Sequence, residues 1–183
     1  MLHATLVDDP RVEALRAQLP VVARRAYLNT GTTGPLPRVV SDAIAAEAVQ
    51  QLEEGRLGSD RFDRFRELQH RTRAALAEVL DVSVEEVALT GSTSDGINIV
   101  AQGLSWREGD EIVTTDAEHE GVILPLAVLR QRHGVVVRFA AVGPDDDSTV
   151  AAITAQLSPR TRLLVFSHVI YATGAVLPLT RLA

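Results

Sequence analysis

No cysteine occurs among the 183 residues of the chain. Disulfide bonds, thiolate metal sites and a cysteine nucleophile are therefore excluded within it, and the composition fits a reducing cytoplasm. Lysine is absent as well, because all 18 basic side chains are arginine. A mechanism that needs a lysine amine as nucleophile, as Schiff-base partner or as phosphate ligand is consequently excluded for this chain acting alone.

Positive charge is scarce relative to negative charge. The 18 basic side chains face 24 acidic ones, which gives a net charge of −6. Without an arginine-dense stretch, this balance argues against nucleic acid or an anionic membrane as the main partner. No apolar run has the length of a membrane span, and Asp8 and Asp9 stand where a secretory signal would be basic or apolar. We expect a soluble, cytoplasmic protein that binds small molecules or other proteins.

The first part of the chain shows the apolar spacing of helices. Residues 1–26 are predicted to form an N-terminal arm with a short helix that stops at Pro20. The main domain is expected over residues 27–183. It starts with a loop rich in Gly, Thr and Pro and continues with helices over 39–53 and 60–80.

From Val87 onward, short apolar runs alternate with helical patterns, which is typical of βα units. The predicted strands are Val87–Leu89, Ile112–Thr114, Val135–Ala140 and Leu163–Phe166, and the predicted helices are Ile97–Leu104, Val122–Arg132 and Val150–Leu157. The predicted fold class is therefore α/β, with a mainly parallel sheet and flanking helices. Ligands of such sheets bind at the carboxyl ends of the strands.

The sharpest local motif is Leu89-Thr-Gly-Ser-Thr-Ser-Asp-Gly-Ile-Asn98, where a predicted strand passes into a helix. Free N–H groups and the helix dipole favour a phosphate there, and the hydroxyls of Ser92, Thr93 and Ser94 can donate further hydrogen bonds. Simple N-capping without a ligand is the alternative. A Walker loop needs a lysine, and neither a G-x-G-x-x-G nor a G-x-S-x-G pattern is present, which disfavours nucleotide hydrolysis, dinucleotide binding and a serine hydrolase.

Two further polar segments follow predicted strands, Asp116-Ala-Glu-His-Glu120 and Ser167-His-Val-Ile-Tyr-Ala-Thr-Gly174. The position of His119 at a strand end makes it a candidate functional residue. No metal site is predicted, because the H-E-x-x-H spacing is absent and neighbouring loop residues do not converge on one ion. The structural alternatives are a solvated acidic loop and a loop with a buried tyrosine.

Four runs, taken together and in order, resemble the class V aminotransferase and cysteine desulfurase branch of the fold type I pyridoxal-phosphate (PLP) enzymes. They are Tyr27-Leu-Asn-Thr-Gly-Thr-Thr-Gly-Pro-Leu-Pro37, the Leu89–Asn98 motif, Glu118-His119, and Ser167-His-Val followed by Gly174 and Leu177-Pro178. The resemblance implies PLP as cofactor and the large domain of fold type I as architecture. Any one run would be weak evidence, whereas four in register from residue 27 onward are specific.

The resemblance also assigns roles to individual residues. It implies that Gly91, Ser92 and Thr93 form the phosphate cup, that His119 stacks on the pyridine ring as a catalytic residue, and that Tyr171 contacts the cofactor. The family usually has Asn at the position of Tyr171, and a phenol has a different reach. Substrate contacts are implied for the loop residues Asn29 and Thr32.

The resemblance further implies what the chain does not contain. In the family, the Schiff-base lysine, the Asp that pairs with the pyridine nitrogen and a small domain all follow the region that corresponds to Ala183. The run Pro178–Ala183 reads as an interrupted helix start, so we expect an incomplete domain, the N-terminal portion of an enzyme that is inactive alone and a homodimer in full-length form.

The expected activity is that of an aminotransferase, a cysteine desulfurase, a C–S lyase or an epimerase acting on an amino acid. Two alternatives stay open at this point. One is a catalytically inactive PLP-fold domain that binds a partner, and the other is a different phosphate-ligand-binding α/β domain.

Overall fold

The computed structural model describes residues 9–183. They form two compact units, a first that ends at Ala88 and a second that spans Leu89–Ala183. The predicted arm of residues 1–26 lies partly outside the described residues. Between residues 9 and 183, no helix combines the length and the apolar character that crossing a membrane requires.

The first unit is helical. Its α-helices are α1 (Pro10–Gln18), α2 (Arg38–Glu54) and α3 (Ser59–Leu80), with 3-10 turns at Pro20–Ala23 and Val84–Glu86. The predicted helices over 39–53 and 60–80 are confirmed to within one residue at each end. Asp9 caps α1 by accepting the Arg11 N–H at 2.8 Å, and Pro10 occupies the first helical position, where its missing N–H costs nothing.

The apolar side chains of α2 and α3 are mostly exposed within this unit. Of the residues in these two helices, Ala77 alone is buried. The exposed apolar residues include Val39, Val40, Ile44, Phe62, Phe65 and Leu68. The two helices therefore form no apolar core with each other.

The second unit contains a three-stranded parallel sheet in the order β2-β1-β3. The strands are β1 (Glu111–Thr115), β2 (Val136–Ala140) and β3 (Thr161–Leu164), and the helices are α4 (Thr93–Gly103), α5 (Glu120–His133), α6 (Asp146–Gln156) and α7 (Leu179–Leu182). The predicted α/β class with a parallel sheet and flanking helices is confirmed. The central strand β1 is buried over its whole length.

Alternation along β1 explains the two apolar clusters of this unit, because successive side chains of a strand point to opposite faces. Ile112 packs in one cluster with Ala101 of α4 and with Val122, Leu126 and Leu129 of α5. Val113 packs in the other with Ala140 and with Ile153 of α6. Both faces of β1 are thus covered, as expected for a parallel sheet.

One predicted strand is absent from the sheet. Residues 87–89 have no strand partner among the described residues, although Val87 has extended dihedral angles. A strand is defined by its hydrogen-bonded neighbour, which an apolar run cannot specify by itself. The strand predicted at 163–166 is shifted, since β3 starts at Thr161 and ends at Leu164.

A buried ionic cluster satisfies the amino-terminal end of β1. Glu111 is fully buried. Its carboxylate accepts hydrogen bonds from Arg138 Nη2 at 2.8 Å, from Ser158 Oγ at 2.6 Å and from Arg160 Nη2 at 2.9 Å. The hydrogen bond from Arg138, followed by that from Ser158, outweighs the effect of burial and lowers the pKa of Glu111 from 4.5 to about 2.

This lowered pKa predicts an acid-sensitive stability of the second unit. Because the folded pKa of Glu111 lies below the ordinary value of 4.5, its contribution is complete above about pH 4.5 and is lost as the pH falls towards 2. Urea denaturation of the Glu111→Gln variant should therefore show a lower stability at pH 7 and a weaker pH dependence between pH 5 and 2. The exposed Glu108, changed to Gln, is the matched control, and an equal pH dependence in both variants would contradict the assignment.

Candidate active site

The start of α4 lies in the predicted phosphate motif, and its first turn is built from short polar side chains. Ser92 is the N-cap, and its hydroxyl accepts the Asp95 N–H at 3.1 Å. The Asp95 carboxylate in turn accepts the Gly91 N–H at 3.1 Å. Two of the predicted cup residues, Gly91 and Ser92, thus hold the turn in shape, as the capping interpretation expects.

The donors that point out of this turn come from the next two residues. Within residues 9–183, the N–H groups of Thr93 and Ser94 have no hydrogen-bond partner, as is usual for the first residues of a helix. Thr93 is exposed and Ser94 is half-buried. Two N–H groups and two hydroxyls at the positive end of a helix are a donor set that suits an anion.

His119 lies at the start of α5, immediately beyond the end of β1. As the N-cap residue, it accepts the Gly121 N–H at Nδ1 over 2.9 Å. Since Nδ1 uses its lone pair in this bond, the proton of the neutral ring is on Nε2. The imidazole is exposed and its orientation is fixed by the helix that it caps.

Gly121 is where α4 and α5 approach each other. A Cβ built on Gly121 would overlap Ser94 Oγ and would lie 3.3 Å from His119 Nδ1. The absence of a side chain at this position therefore allows the start of α4 and His119 to share one edge of the sheet. The helix start that carries the predicted cup is thus brought close to the predicted ring-stacking histidine, and Ser94 is the residue of that helix start that makes the contact.

Tyr171 reaches His119 from a third segment. The rings of His119 and Tyr171 lie edge to face, with centroids 4.9 Å apart and planes at 81°. Tyr171 sits near the tip of a short hairpin in which Ile170 N–H donates to Ala175 O at 2.8 Å, and it is half exposed. The alternative interpretation of this segment, a loop with a buried tyrosine, does not hold, since the buried residue is Ile170.

Glu118 and Ser167 connect the two loops that carry these rings. Glu118 Oε1 accepts hydrogen bonds from Thr115 Oγ1 and from the Ser167 N–H, both at 2.8 Å, and Glu118 Oε2 accepts the Ser167 hydroxyl at 2.6 Å. The sequence placed Glu118 and Ser167 in the matching motifs but assigned them no role. Three donors on one half-buried carboxylate become visible only when β1 and β3 are paired.

The other acidic residue of the first loop has a structural partner. Asp116 Oδ1 accepts the Val142 N–H at 3.1 Å, which ties the loop to the end of β2. Across the described part of the chain, no three His, Asp or Glu residues are grouped so as to hold a metal ion. The segment Asp116–Glu120 serves to build the loop around His119.

Asn29 and Thr32 belong to the first unit. The Asn29 carbonyl accepts the N–H groups of Thr32 at 3.3 Å and of Thr33 at 3.1 Å, and Tyr27 donates its hydroxyl to the Thr33 carbonyl at 2.7 Å. Both Asn29 and Thr32 are exposed in this turn. Their predicted role in substrate binding stays a prediction.

Comparison with known proteins gives a family match over most of the chain. A family model described as aminotransferase class-V matches residues 26–183. Isopenicillin N epimerase from Amycolatopsis lactamdurans is 34% identical over 177 residues, which cover 91% of this chain and 43% of the epimerase. A probable cysteine desulfurase from Methanothermobacter thermautotrophicus is 32% identical over 167 residues, which cover 91% of this chain and 42% of that protein.

Solved structures show the same likeness. A mutant of C-DES with glycine covalently linked to its PLP cofactor is 35% identical, with a TM-score of 0.83 over 91% of this chain and 44% of that one. The cystine C-S lyase C-DES in complex with its reaction product cysteine persulfide has a TM-score of 0.82 at 35% identity, over 90% of this chain and 44% of that one. The chain thus spans less than half the length of the relatives that it matches.

The close approach at Gly121 predicts a specific pattern of stability changes. Gly121→Ala should destabilise the second unit by about 1–3 kcal/mol, because the new Cβ overlaps Ser94 Oγ. Adding Ser94→Ala should recover most of that loss, which a double-mutant cycle by urea denaturation measures. Gly103→Ala is the control, because a Cβ there meets nothing within 4 Å. Additive effects of Gly121→Ala and Ser94→Ala would contradict the described contact.

Proposed function

We propose, from the premise that this chain belongs to the aminotransferase class-V family, that it supplies the phosphate-binding and ring-stacking side of a PLP site in an enzyme that acts on an amino acid. One observation carries the proposal. The Ser94 hydroxyl lies against Gly121, next to the exposed ring of His119 at the carboxyl-terminal edge of the parallel sheet, and the free N–H of Thr93 belongs to the same first turn of α4.

The first turn of α4 fits the phosphate of the cofactor. The N–H groups and hydroxyls of Thr93 and Ser94 are available. They lie at the N-terminus of an 11-residue helix, whose dipole favours an anion there. The predicted contribution of Gly91 is reduced, since its N–H is held by Asp95 at 3.1 Å. We therefore place the phosphate contacts chiefly at Thr93 and Ser94, with Ser92 as the residue that shapes the turn.

His119 fits a planar heterocycle. Its ring is exposed on an otherwise ordered helix start, and the bond from the Gly121 N–H to Nδ1 keeps Nε2–H as the donor of the neutral ring. The edge-to-face contact with Tyr171 restricts the ring from one side. His119 is thus suited to stack on the cofactor ring and to donate or accept a proton at Nε2 near the substrate.

PLP, when bound, supplies the electron sink that weakens bonds at the α-carbon of an amino acid, and the protein selects which bond breaks. The named relatives support an amino-acid substrate, since they are an epimerase, a probable cysteine desulfurase and a C-S lyase of cystine. We propose a reaction of this group or a transamination. Because the chain contains no lysine, we further propose that it completes no turnover by itself.

The two alternatives are less well supported. A different phosphate-ligand domain does not explain the family match over residues 26–183. An inactive PLP-fold domain would not need the donors of Thr93 and Ser94 and the ring of His119 to lie at one edge of the sheet. Loss of cofactor binding on removal of these groups is the observation that separates the enzyme from a domain that binds only protein.

Homodimer formation is also proposed. The exposed apolar side chains of α2 and α3 offer a surface that a second copy of the chain could cover, since patches of this kind mark protein contacts. The cytoplasmic location and the lack of nucleic-acid or membrane partners stay predictions from composition. Sedimentation of the chain over a range of concentrations tests the association.

Substitution of Thr93 tests the phosphate site. Pyridoxamine 5′-phosphate is the probe, because its binding needs no lysine. Loss of one hydroxyl donor to a charged phosphate costs about 1.5–3 kcal/mol, so Thr93→Val should weaken binding of the probe by roughly 10- to 150-fold in a calorimetric titration. Thr154→Val, at an exposed position of α6, is the matched control. Equal affinities of both variants and the unchanged chain would place the phosphate elsewhere.

A further inference from the structure

We propose that Glu118 is a positioning residue of this site: its carboxylate holds the loop that carries His119 against the loop that leads to Tyr171, and so sets the contact between the two rings. The proposal rests on the proposed function for its ligand, whereas the ring contact itself does not depend on a ligand. Neither the family match nor the motif assigns this role to Glu118.

The Glu118 side chain accepts three hydrogen bonds. Both carboxylate oxygens of Glu118 are engaged, Oε1 by Thr115 Oγ1 and by the Ser167 N–H, and Oε2 by the Ser167 hydroxyl. An ionised carboxylate is an acceptor only, and hydrogen bonds to a charged acceptor are the stronger ones. Three such bonds at 2.6–2.8 Å fix the side chain of Glu118 in one place.

These hydrogen bonds lie just beyond the end of the β1–β3 pairing. The backbone pairing of β1 and β3 ends with the Val165 N–H, which donates to the Val113 carbonyl at 3.0 Å. Beyond that bond β1 and β3 no longer pair with each other, although β1 stays paired with β2 as far as Thr115. Glu118 joins the segments after the two strands again, through Ser167. The Glu118 carboxylate therefore links the two segments where backbone hydrogen bonds between them have ended.

The hydrogen bonds between Glu118 and Ser167, called the clamp below, lie close along the chain to both rings. His119 follows Glu118 directly. Ser167 precedes a hairpin that is closed by the Leu177 N–H to the His168 carbonyl at 2.8 Å and that carries Tyr171. Both rings thus project from segments that begin at the clamp, and their centroids are 4.9 Å apart. A shift of either loop would change the surface that His119 offers to a planar ligand.

The test uses two single variants of the 183-residue chain, Glu118→Gln and Ser167→Ala. Glu120→Gln is the matched control, because Glu120 also neighbours His119 in the sequence and its side chain is exposed. The first readout needs no ligand: nuclear Overhauser effects between His119 and Tyr171 and the ring-current shift of the His119 carbon-bound protons. The second readout is the affinity for pyridoxamine 5′-phosphate relative to inorganic phosphate, since only the former has a ring to stack.

We expect Glu118→Gln to weaken the ring contact and to lower the affinity ratio by roughly 10-fold, with the affinity for inorganic phosphate unchanged. Ser167→Ala, which keeps the N–H donor, should lower the ratio by about 3-fold, and Glu120→Gln should change neither readout. A merely structural role would reduce both affinities together or neither.

Retention of the ring contact and of the ratio in both clamp variants would overturn the proposal. If Glu118→Gln does not fold, as judged from the amide spectrum, Ser167→Ala decides. If the unchanged chain binds pyridoxamine 5′-phosphate no more tightly than phosphate, the proposed function fails, and the ring contact alone then decides the role of Glu118.

Discussion

The second unit depends on the complete burial of β1. All five residues of the strand are buried, so the polar side chains of its two end residues, Glu111 and Thr115, have to be satisfied by protein rather than by water. At the amino-terminal end, Glu111 does this with two arginines and Ser158. At the other end, Glu118 does it with Thr115 and Ser167. Each carboxylate also joins β1 to a segment that flanks β3, since Ser158 and Arg160 precede β3 and Ser167 follows it.

The two carboxylates have different consequences because the two ends of a parallel sheet differ. At the amino-terminal end, the ionic cluster of Glu111 contributes to stability alone. At the carboxyl-terminal end, the helices begin, and the free N–H groups of Thr93 and Ser94 form a donor set that suits an anion. The close approach at Gly121 then places the Thr93–Ser94 turn next to His119. The site is therefore a consequence of how α4 and α5 cover the same face of β1.

Much of this arrangement could be predicted from the sequence. Apolar periodicity located α2 and α3, and the alternation of short strands with helices predicted the parallel sheet. The motifs around Ser92, His119 and Tyr171 located the candidate site, because hydroxylic helix starts and strand ends are recognisable in one dimension. The family match over residues 26–183 confirmed the resemblance that these motifs had indicated.

Other features depend on contacts between segments far apart in the chain. Among residues 9–183, segment 87–89 pairs with no strand. Its apolar residues predict a strand, but they carry no information about a pairing partner. The Asp95 carboxylate accepts the Gly91 N–H, so the free N–H groups of this turn belong to Thr93 and Ser94 and not to Gly91. The clamp of Glu118 joins residues that are 49 positions apart, which no local pattern reveals.

An amide and side-chain NMR titration of the 183-residue chain with pyridoxamine 5′-phosphate tests the central claim most directly. The account predicts saturable shifts of the Thr93 and Ser94 amides and of the His119 ring protons with one common dissociation constant. It also predicts no shift of the Glu111 and Val136 amides, which pair at the opposite end of the sheet. Shifts that leave Thr93, Ser94 and His119 unchanged, or that centre on another part of the chain, would contradict it.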